Sequence, residues 1–457
     1  DAAWWTARSF EALDNWEQTA SWYKGFTEVY TNDIRLPEGL LHHGNALEKS
    51  DDIAGALAIY DQLITTYPTS QVAAAALDHE GVILRRQEDW AGAAARWQAD
   101  AESIGADAEG RARARFWQGW SLRKQGDAAA ATAAWRAGAA YRTFWGARCA
   151  DQLAGRAVPS GAGPTAAAQV RLKALAVPDT SRQAETDLAL LRWAAGWSIT
   201  HTEVSTITTV PPQLSADPAY RRALALGHAA LWSDASTAFA DLTTTLEQAG
   251  DGTSLATLAL DARRAGWPWL AYPVARGLQR AARAAHEPAD VPDLPRGAQE
   301  LLFPAPWPAL VGAQAAEQDV DPWLLLALMR QESAYYPQAH SSADARGLTQ
   351  VIPGTAEGIA AALKVPDFQQ SALYRPAVSI RFGAFYLAET LGSLDRNILY
   401  SLAAYNAGQG PIPGWTGGRV GDDPDLFADN IDYPETRQYV SIVYNNYAIY
   451  RWLYGTP

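Results

Sequence analysis

Apolar residues recur along this chain at helical spacing, and no stretch alternates polar and apolar positions with the period of two that a half-buried strand requires. Near the C-terminal third, Leu325, Leu328 and Met329 define one face of a helix whose start is set by Asp321-Pro322, with proline pre-shaped for the first turn. Ser341, Ser342, Gly347 and Gly354 then punctuate a loop that leads into a short helix marked by Pro353-Gly354-Thr355-Ala356. Ile398, Leu402 and Tyr405 share a helix face, and Gly408 stands where a C-cap belongs. Pro434-Glu435 opens a last long helix on which Glu435, Tyr439 and Val443 lie together. Upstream, Leu188 to Trp193, Tyr220 to Phe239 and Leu255 to Arg264 read as further helices. The pattern predicts an all-α protein.

Part of that pattern repeats, from about Asn45 to Gly155. Asp52, Asp89 and Asp127 each stand eight residues before an aromatic, Tyr60, Trp97 and Trp135, and the aromatics are 37 and then 38 residues apart. Ala56, Ala93 and Ala131 stand four before the same aromatics. A period near the ~34 residues of tetratricopeptide units marks stacked helical hairpins, which bury a continuous core only by stacking on one another. The Asp is expected to begin a helix, the Ala to let a neighbouring helix approach, and the aromatic to fill the groove. Such a solenoid serves equally as a binding surface or as a scaffold for another domain. The run Arg156-Ala157-Val158-Pro159-Ser160-Gly161-Ala162-Gly163-Pro164 reads as a loop, and prolines cluster again from Pro273 to Pro308. The division expected is a superhelical repeat domain over residues 1–270, a linker region over 271–301 that a helical linker domain precedes or joins, and a third domain over 302–457.

Composition narrows the class of protein. The 457 residues are 48% hydrophobic, ample for two or three cores. Formal net charge is −13 and the isoelectric point about 5.0, which argues against nucleic acid as the main partner and against a polybasic membrane anchor. No apolar run approaches the ~20 residues that span a bilayer. The start, Asp1-Ala2-Ala3-Trp4-Trp5, is not a signal peptide, so a cytosolic protein and a processed exported one both remain open. Cys149 is the single cysteine, excluding an intrachain disulfide and a cysteine-rich zinc site. The seven histidines have no metal-ligand spacing, and His42-His43 reads most simply as a polar turn.

The residue that stands out is Glu332. It is the next position on the apolar face of Leu325, Leu328 and Met329, and it falls in the last turn of its helix. Loss of hydration and the negative end of the helix dipole both raise the pKa of a carboxyl placed there, the tuning that a general acid needs near neutral pH. A glutamate paired with arginine or bonded to backbone donors is the plainer alternative. The motifs downstream of it are more specific. Glu332-Ser333, then Gly347-Leu348-Thr349-Gln350 with Pro353, Thr355 and Ala356, then Ala404-Tyr405-Asn406-Ala407-Gly408, then Glu435-Thr436 with Tyr439-Val440 stand in the order used by soluble lytic transglycosylases. The last third of the chain resembles that family in motif detail. The family usually has Met where Thr349 and Ile352 stand, and neither departure removes a group that chemistry needs.

The resemblance implies a helical-repeat superhelix followed by a lysozyme-like α-helical catalytic domain. It implies Glu332 as the single catalytic acid, with Ser341, Gln350, Tyr405, Asn406, Glu435 and Tyr439 around the substrate. Tyr405 is the partner it suggests for Glu332, against the alternative of a core tyrosine bonded to backbone; Ser341 has loop capping as its alternative, Glu435 dipole complementation, Tyr439 simple packing. The implied reaction cleaves the β-1,4 bond between N-acetylmuramic acid and N-acetylglucosamine and leaves a 1,6-anhydromuramoyl end, with no metal and no cofactor. Peptidoglycan glycan strands are then the substrate, the repeats a candidate surface for cell-wall synthesis or remodelling proteins, and the compartment periplasmic, reached by export. Two other readings stay open: a hydrolytic muramidase of goose-lysozyme type, using Asp422, Asp423 or Asp425 as a second acid, and a non-catalytic cell-wall-binding scaffold.

Overall fold

The computed structural model describes residues 1–156, 161, 163, 165–177, 179–199, 210–417 and 423–455. The chain divides into two compact units, Asp1–Pro159 and Ser160–Pro457. Ordered elements among the described residues are helices, and β geometry is confined to the isolated bridges His340–Arg346 and Arg346–Val351. Most of the run from Arg156 to Pro164 lies outside the described residues.

In the first unit the repeat is visible atom by atom. Asp52, Asp89 and Asp127 each occupy an N-cap, and their carboxylates accept from the N–H of Gly55, Gly92 and Ala130 at 3.0, 2.9 and 2.9 Å. This satisfies a backbone donor that the first helical turn leaves open. The helices they cap, Ile53–Thr66, Trp90–Glu102 and Ala128–Gly138, carry Tyr60, Trp97 and Trp135 into the core, where all three are buried. The close approach is made by glycine. Gly44, Gly81 and Gly119, each 16 residues before its aromatic, lie on the preceding helices and face the rings of Tyr60, Trp97 and Trp135. Ala56, Ala93 and Ala131 are buried beside them.

The repeat also starts earlier than the aspartates suggest. Glu11, Tyr23 and His42 recur 37 residues later as Glu48, Tyr60 and His79. In both sets the imidazole stacks on the tyrosine ring, at 5.1 and 5.3 Å, and lies 3.1 and 3.0 Å from the glutamate. One period further on the same positions are Arg85, Trp97 and Phe116, where the guanidinium lies over the Trp97 ring at 5.9 Å. The polar turn expected at His42-His43 is instead the middle of helix Leu36–Lys49. His43 is buried there, and desolvation pushes its imidazole down to about 4.

The second unit begins with helices Ala166–Ala176 and Thr180–Trp197. The first packs on Pro308–Glu317, with Gln169 donating to the Gly312 carbonyl at 3.2 Å. The expected helix from Tyr220 to Phe239 is two helices, Pro218–His228 and Trp232–Gln248, separated at Ala230, whose φ of 57° ends the first. Pro273 is not part of a loop. It lies inside Pro268–Ala284, where it lacks the N–H that would bond the Trp269 carbonyl. Pro288, Pro292, Pro304 and Pro306 fall between helices, while Pro308 opens one.

Two helices carry the C-terminal core. Pro322–Ser333 packs along Pro434–Tyr454, the longest helix described. Rather than one apolar face, it buries every side chain from Pro322 to Met329. A helix that is apolar all round belongs inside a core. Its start is the expected cap: Asp321 accepts from the Trp323 N–H at 2.8 Å and, through its other oxygen, from Tyr447 at 2.8 Å. Arg330 locks its far end. The guanidinium lies over Phe303 at 4.2 Å and over Tyr272 at 4.8 Å, and donates to the Leu302 carbonyl at 3.1 Å and to Asn446 at 2.7 Å.

The glycine contacts generate a stability prediction. A Cβ added at Gly81 would lie 2.5 Å from Cε2 of Trp97, too close for either helix to accept without moving. Overpacking of this kind costs about 1–3 kcal/mol. The helix-propensity gain of alanine over glycine, up to ~1 kcal/mol, offsets part of it. Gly81→Ala is therefore expected to lower stability by roughly 1–2 kcal/mol, read from chemical denaturation. An unchanged or raised midpoint would show that the aromatic–glycine contact does not set the spacing of the repeat.

Candidate active site

Glu332 stands one residue before the end of its helix, where Ala334 and Tyr335 take left-handed conformations with φ of 48° and 65° and turn the chain away. Ser333 secures that end, its hydroxyl lying 3.1 Å from the Met329 carbonyl and 2.9 Å from the Leu348 carbonyl in the following loop. The Glu332 side chain is half-buried, and protein surrounds the carboxyl closely enough that desolvation pushes its pKa up to about 7. One opposing influence is present. The Tyr439 hydroxyl donates to Oε1 of Glu332 at 2.5 Å and favours the ionised form.

That bond corrects an expectation. Tyr405 is the expected partner of Glu332, but its hydroxyl donates to the Thr349 carbonyl at 2.9 Å, the backbone-bonded alternative. Tyr405 remains close enough for the Glu332 charge, after burial, to raise its pKa further. Tyr439 is subject to the same two causes, so both stay protonated phenols at neutral pH. A third tyrosine, Tyr386 of helix Pro376–Ser393, completes the group. Its ring lies 4.9 Å from that of Tyr405, inclined by 56°. Sequence reasoning did not single out Tyr386, because nothing in its local pattern tells it from the aromatic residues of the core.

The loop between Ser333 and Pro353 is built on backbone. Gly347 has φ of 79°, and a Cβ there would collide with the Leu373 carbonyl, so glycine is required. Its N–H bonds the Ala339 carbonyl at 2.9 Å. Gln350, also left-handed with φ of 48°, directs its amide nitrogen to the carbonyls of Gly347 at 2.9 Å and Ala339 at 3.2 Å. Thr349 is fully buried; its hydroxyl donates to the Ser379 carbonyl at 2.9 Å and anchors the carbonyl that receives Tyr405. The departure at Thr349 thus fixes the loop to helix Pro376–Ser393. Ile352, at the other departure, is exposed at the start of Pro353–Ala362.

The remaining expected residues are arranged less tightly around the acid. Ser341 accepts from the N–H groups of Ala343 and Ala345 at 3.2 and 3.1 Å, holding a turn. Asn406 accepts from Thr436 at 2.7 Å and joins helix Ile398–Ala407 to the last helix. Glu435 is exposed in the first turn of that helix, one turn before Tyr439. Asp423 caps helix Pro424–Asn430 by accepting from Asp425 and Leu426, Asp425 is buried, and Asp422 lies outside the described residues. Among the described residues no cluster of three or more His, Cys, Asp or Glu is placed to hold a metal ion.

Residues 309–425, which bring Glu332, Gln350, Tyr386 and Tyr405 into one region, match the family model of the Transglycosylase SLT domain. Residues 38–70 match a Tetratricopeptide repeat model. Over 158 residues the chain is 34% identical to the soluble lytic murein transglycosylase of Salmonella typhimurium, covering 34% of this chain and 24% of that protein. The corresponding Escherichia coli K12 protein is 33% identical over the same length and share. The chain thus spans about a quarter of the length of the curated relatives it matches. Among solved structures, a 70-kDa soluble lytic transglycosylase in complex with bulgecin A aligns with a TM-score of 0.62 at 20% identity, over 98% of this chain and 62% of that one. An inactive mutant of lytic transglycosylase Slt from Pseudomonas aeruginosa aligns with a TM-score of 0.59 at 21% identity, over 96% and 67%. At these identities the likeness is one of fold, and the fold is the expected all-α one: a helical-repeat superhelix followed by a lysozyme-like domain.

The ionisation of Glu332 is open to direct test. A carboxyl raised from 4.5 to about 7 binds its proton more tightly in the folded protein than in the unfolded one. That contribution to stability is complete below pH 4.5 and is lost as pH rises through about 7. Glu332→Gln should therefore gain in melting temperature relative to the parent between pH 5 and pH 8. Tyr439→Phe, which removes the bond favouring the anion, should move the Glu332 pKa higher still in a carboxyl-resolved NMR titration. A fall in that pKa would mean that Tyr439 does not act on Glu332.

Proposed function

We propose that the chain is a peptidoglycan lytic transglycosylase, with residues 302–457 as its catalytic domain and Glu332 as its single catalytic acid and base. The observation that carries this reading is the Glu332 carboxyl itself: half-buried, pushed up to about 7 by desolvation, and bonded to a tyrosine, within a region that matches the SLT family. A group poised near neutral pH gives up and takes back a proton with little driving force either way. Ordinary glycosidases set a second carboxyl about 5–10 Å from the first. The causes of the Glu332 shift are burial and the Tyr439 bond, with no contribution from a second carboxylate among the described residues.

One carboxyl suffices when the substrate supplies the remaining groups. Glu332 protonates the oxygen between N-acetylmuramic acid and N-acetylglucosamine, and the bond from that oxygen to C1 breaks. The acetamido carbonyl stabilises the positive charge left on C1. Glu332, now a carboxylate, takes the proton of the C6 hydroxyl, and that oxygen closes on C1. The products are a free N-acetylglucosamine hydroxyl and a 1,6-anhydromuramoyl end; no water is consumed and Glu332 ends protonated, as it began. Tyr439 holds the carboxyl in one rotamer through both transfers. Gln350, tethered through its amide nitrogen, presents its amide oxygen to sugar hydroxyls. Ser341 and Asn406 act by shaping the loop and the helix pair, and exposed Glu435 lies at the rim.

Peptidoglycan lies outside the cytoplasmic membrane, so this function requires export to the periplasm. No helix among the described residues is long and apolar enough to cross a membrane. The helical repeats are then the surface for cell-wall synthesis or remodelling proteins.

Glu332→Gln keeps the shape of the side chain and removes the transferable proton. Each acid or base role is typically worth about 10²–10⁴ in rate, and one residue here performs both. Glu332→Gln should nearly abolish release of muropeptides from purified peptidoglycan, with Gln350→Ala losing less. Mass spectrometry of the wild-type products should find anhydro ends, one water lighter than the products of a muramidase. Reducing N-acetylmuramic acid ends would favour hydrolysis by water. No release by the wild-type chain would favour a binding scaffold.

A further inference from the structure

Away from Glu332, two guanidiniums share one aromatic ring. Arg171 of helix Ala166–Ala176 and Arg296 of helix Arg296–Leu302 lie 5.9 and 5.4 Å from the centre of the Tyr454 ring, at the end of the last helix. That ring is fixed. Tyr454 is buried, its hydroxyl donates to the Phe303 carbonyl at 2.7 Å, and Trp323 stacks on it at 5.5 Å. From Tyr439 to Tyr454 the helix runs about 22 Å, which sets this place apart from Glu332. Both arginines are half-buried and open to solvent at their edges. Arg296 gives its Nε hydrogen to Glu300 at 2.8 Å, and its Nη groups make no hydrogen bond among the described residues. Arg171 makes neither a hydrogen bond nor an ion pair among them; burial, then the charges of Arg296 and Arg182, pushes its guanidinium pKa down. A guanidinium held through its flat face keeps its N–H edge free. One cation over a ring is attracted to it, but a second cation at the same ring adds repulsion. Arg171, Arg182 and Arg296 against Glu300 leave two positive charges together, in a chain whose formal net charge is −13.

We propose that Arg171 and Arg296, held on the Tyr454 ring, form a binding site for a phosphate monoester, each guanidinium donating through its free N–H edge to the phosphate oxygens. A phosphate monoester carries about −1.5 to −2 charge at pH 7, which offsets the two positive charges. Its oxygens are arranged tetrahedrally, so two forks approaching from different helices both find acceptors. A carboxylate has two oxygens in one plane, and a single guanidinium fork satisfies them. Arg182, exposed on helix Thr180–Trp197, adds attraction at longer range. The same phosphate group occurs on small phosphorylated alcohols and sugars and on the headgroups of acidic lipids. Val170 and Val177 are exposed on the segment that carries Arg171, an apolar contact that a lipid-borne phosphate would use and a small phosphate would not.

The test uses the full chain and two probes that carry the same group. Glycerol 3-phosphate is titrated by calorimetry at fixed ionic strength. Phosphatidylcholine vesicles with and without phosphatidic acid are assayed by co-sedimentation. Binding of glycerol 3-phosphate supports the site with a small phosphate as ligand; binding only to vesicles that contain phosphatidic acid supports it with a lipid headgroup. Arg171→Gln and Arg296→Gln should each weaken the binding found by roughly 10–100-fold, the worth of a charge-assisted hydrogen bond. Lys173→Gln removes an exposed charge from the same helix as Arg171 and should leave the affinity unchanged. Arg171→Lys keeps the charge and loses the fork, and its affinity should fall between parent and Arg171→Gln. It decides the matter where a glutamine variant has lost its melting transition. No binding to either probe, an equal loss in Lys173→Gln, or parental affinity in folded Arg171→Gln, Arg296→Gln or Arg171→Lys would each overturn the proposal.

Discussion

The hydrogen bond from Tyr439 to Glu332 is the interaction on which the C-terminal region depends, because it joins two requirements that oppose each other. A carboxyl deprived of water resists ionisation, and a carboxyl that never ionises cannot act as a base. Burial alone would drive Glu332 further toward the neutral form; the phenol opposes it and leaves the group near 7. The position of that phenol is set at long range. Tyr439 is carried by the last helix, and the contact holds only while that helix stays in register with Pro322–Ser333. The register is kept by the Asp321 bond to Tyr447 and the Arg330 bond to Asn446, which tie both ends of Pro322–Ser333 to adjacent residues of the last helix.

Arg330 shows how the surrounding core serves the site. Its guanidinium is half-buried between the Phe303 and Tyr272 rings and donates to a backbone carbonyl and an amide, with no carboxylate involved. An ion pair at that point would have placed a negative charge two residues from Glu332 and raised its pKa again. Aromatic faces and neutral acceptors satisfy the cation without that effect. The loop follows the same economy of charge: Gln350, Thr349 and Gly347 donate to backbone carbonyls and Ser341 accepts from backbone N–H groups, so the electrostatics near Glu332 are set by burial and one phenol.

The first unit rests on a different constraint, the distance at which two helices pass when one side of the contact has no side chain. Gly44, Gly81 and Gly119 let the rings of Tyr60, Trp97 and Trp135 come up against the neighbouring helix, and the period comes from repeating that contact. The polar layer is freer to vary. Two successive Glu–Tyr–His sets give way to Arg85, Trp97 and Phe116, where a cation over a ring stands in place of the imidazole–glutamate contact.

By itself the sequence determined the helical class, the capping of the repeats, the order of the C-terminal motifs and the place of Glu332 at the end of a buried helix. These are local properties: cap chemistry, helical period and turn residues act within a few positions of one another. The sixteen-residue offset between glycine and aromatic was also written there, legible once the partner of each aromatic is known. Tertiary structure alone decided which hydroxyl meets Glu332. Tyr405 and Tyr439 both fit the pattern of a buried ring with a polar tip, and only the packing of the two long helices gives the acid to Tyr439 and leaves Tyr405 to the Thr349 carbonyl. It likewise decided that Ser341 holds a turn, that Asn406 joins two helices, that His42 and His43 belong to a helix, and that Tyr386 stands beside Tyr405. Each depends on contacts between residues far apart in the chain, and no local pattern encodes the distance between elements that fold separately and meet only in the core.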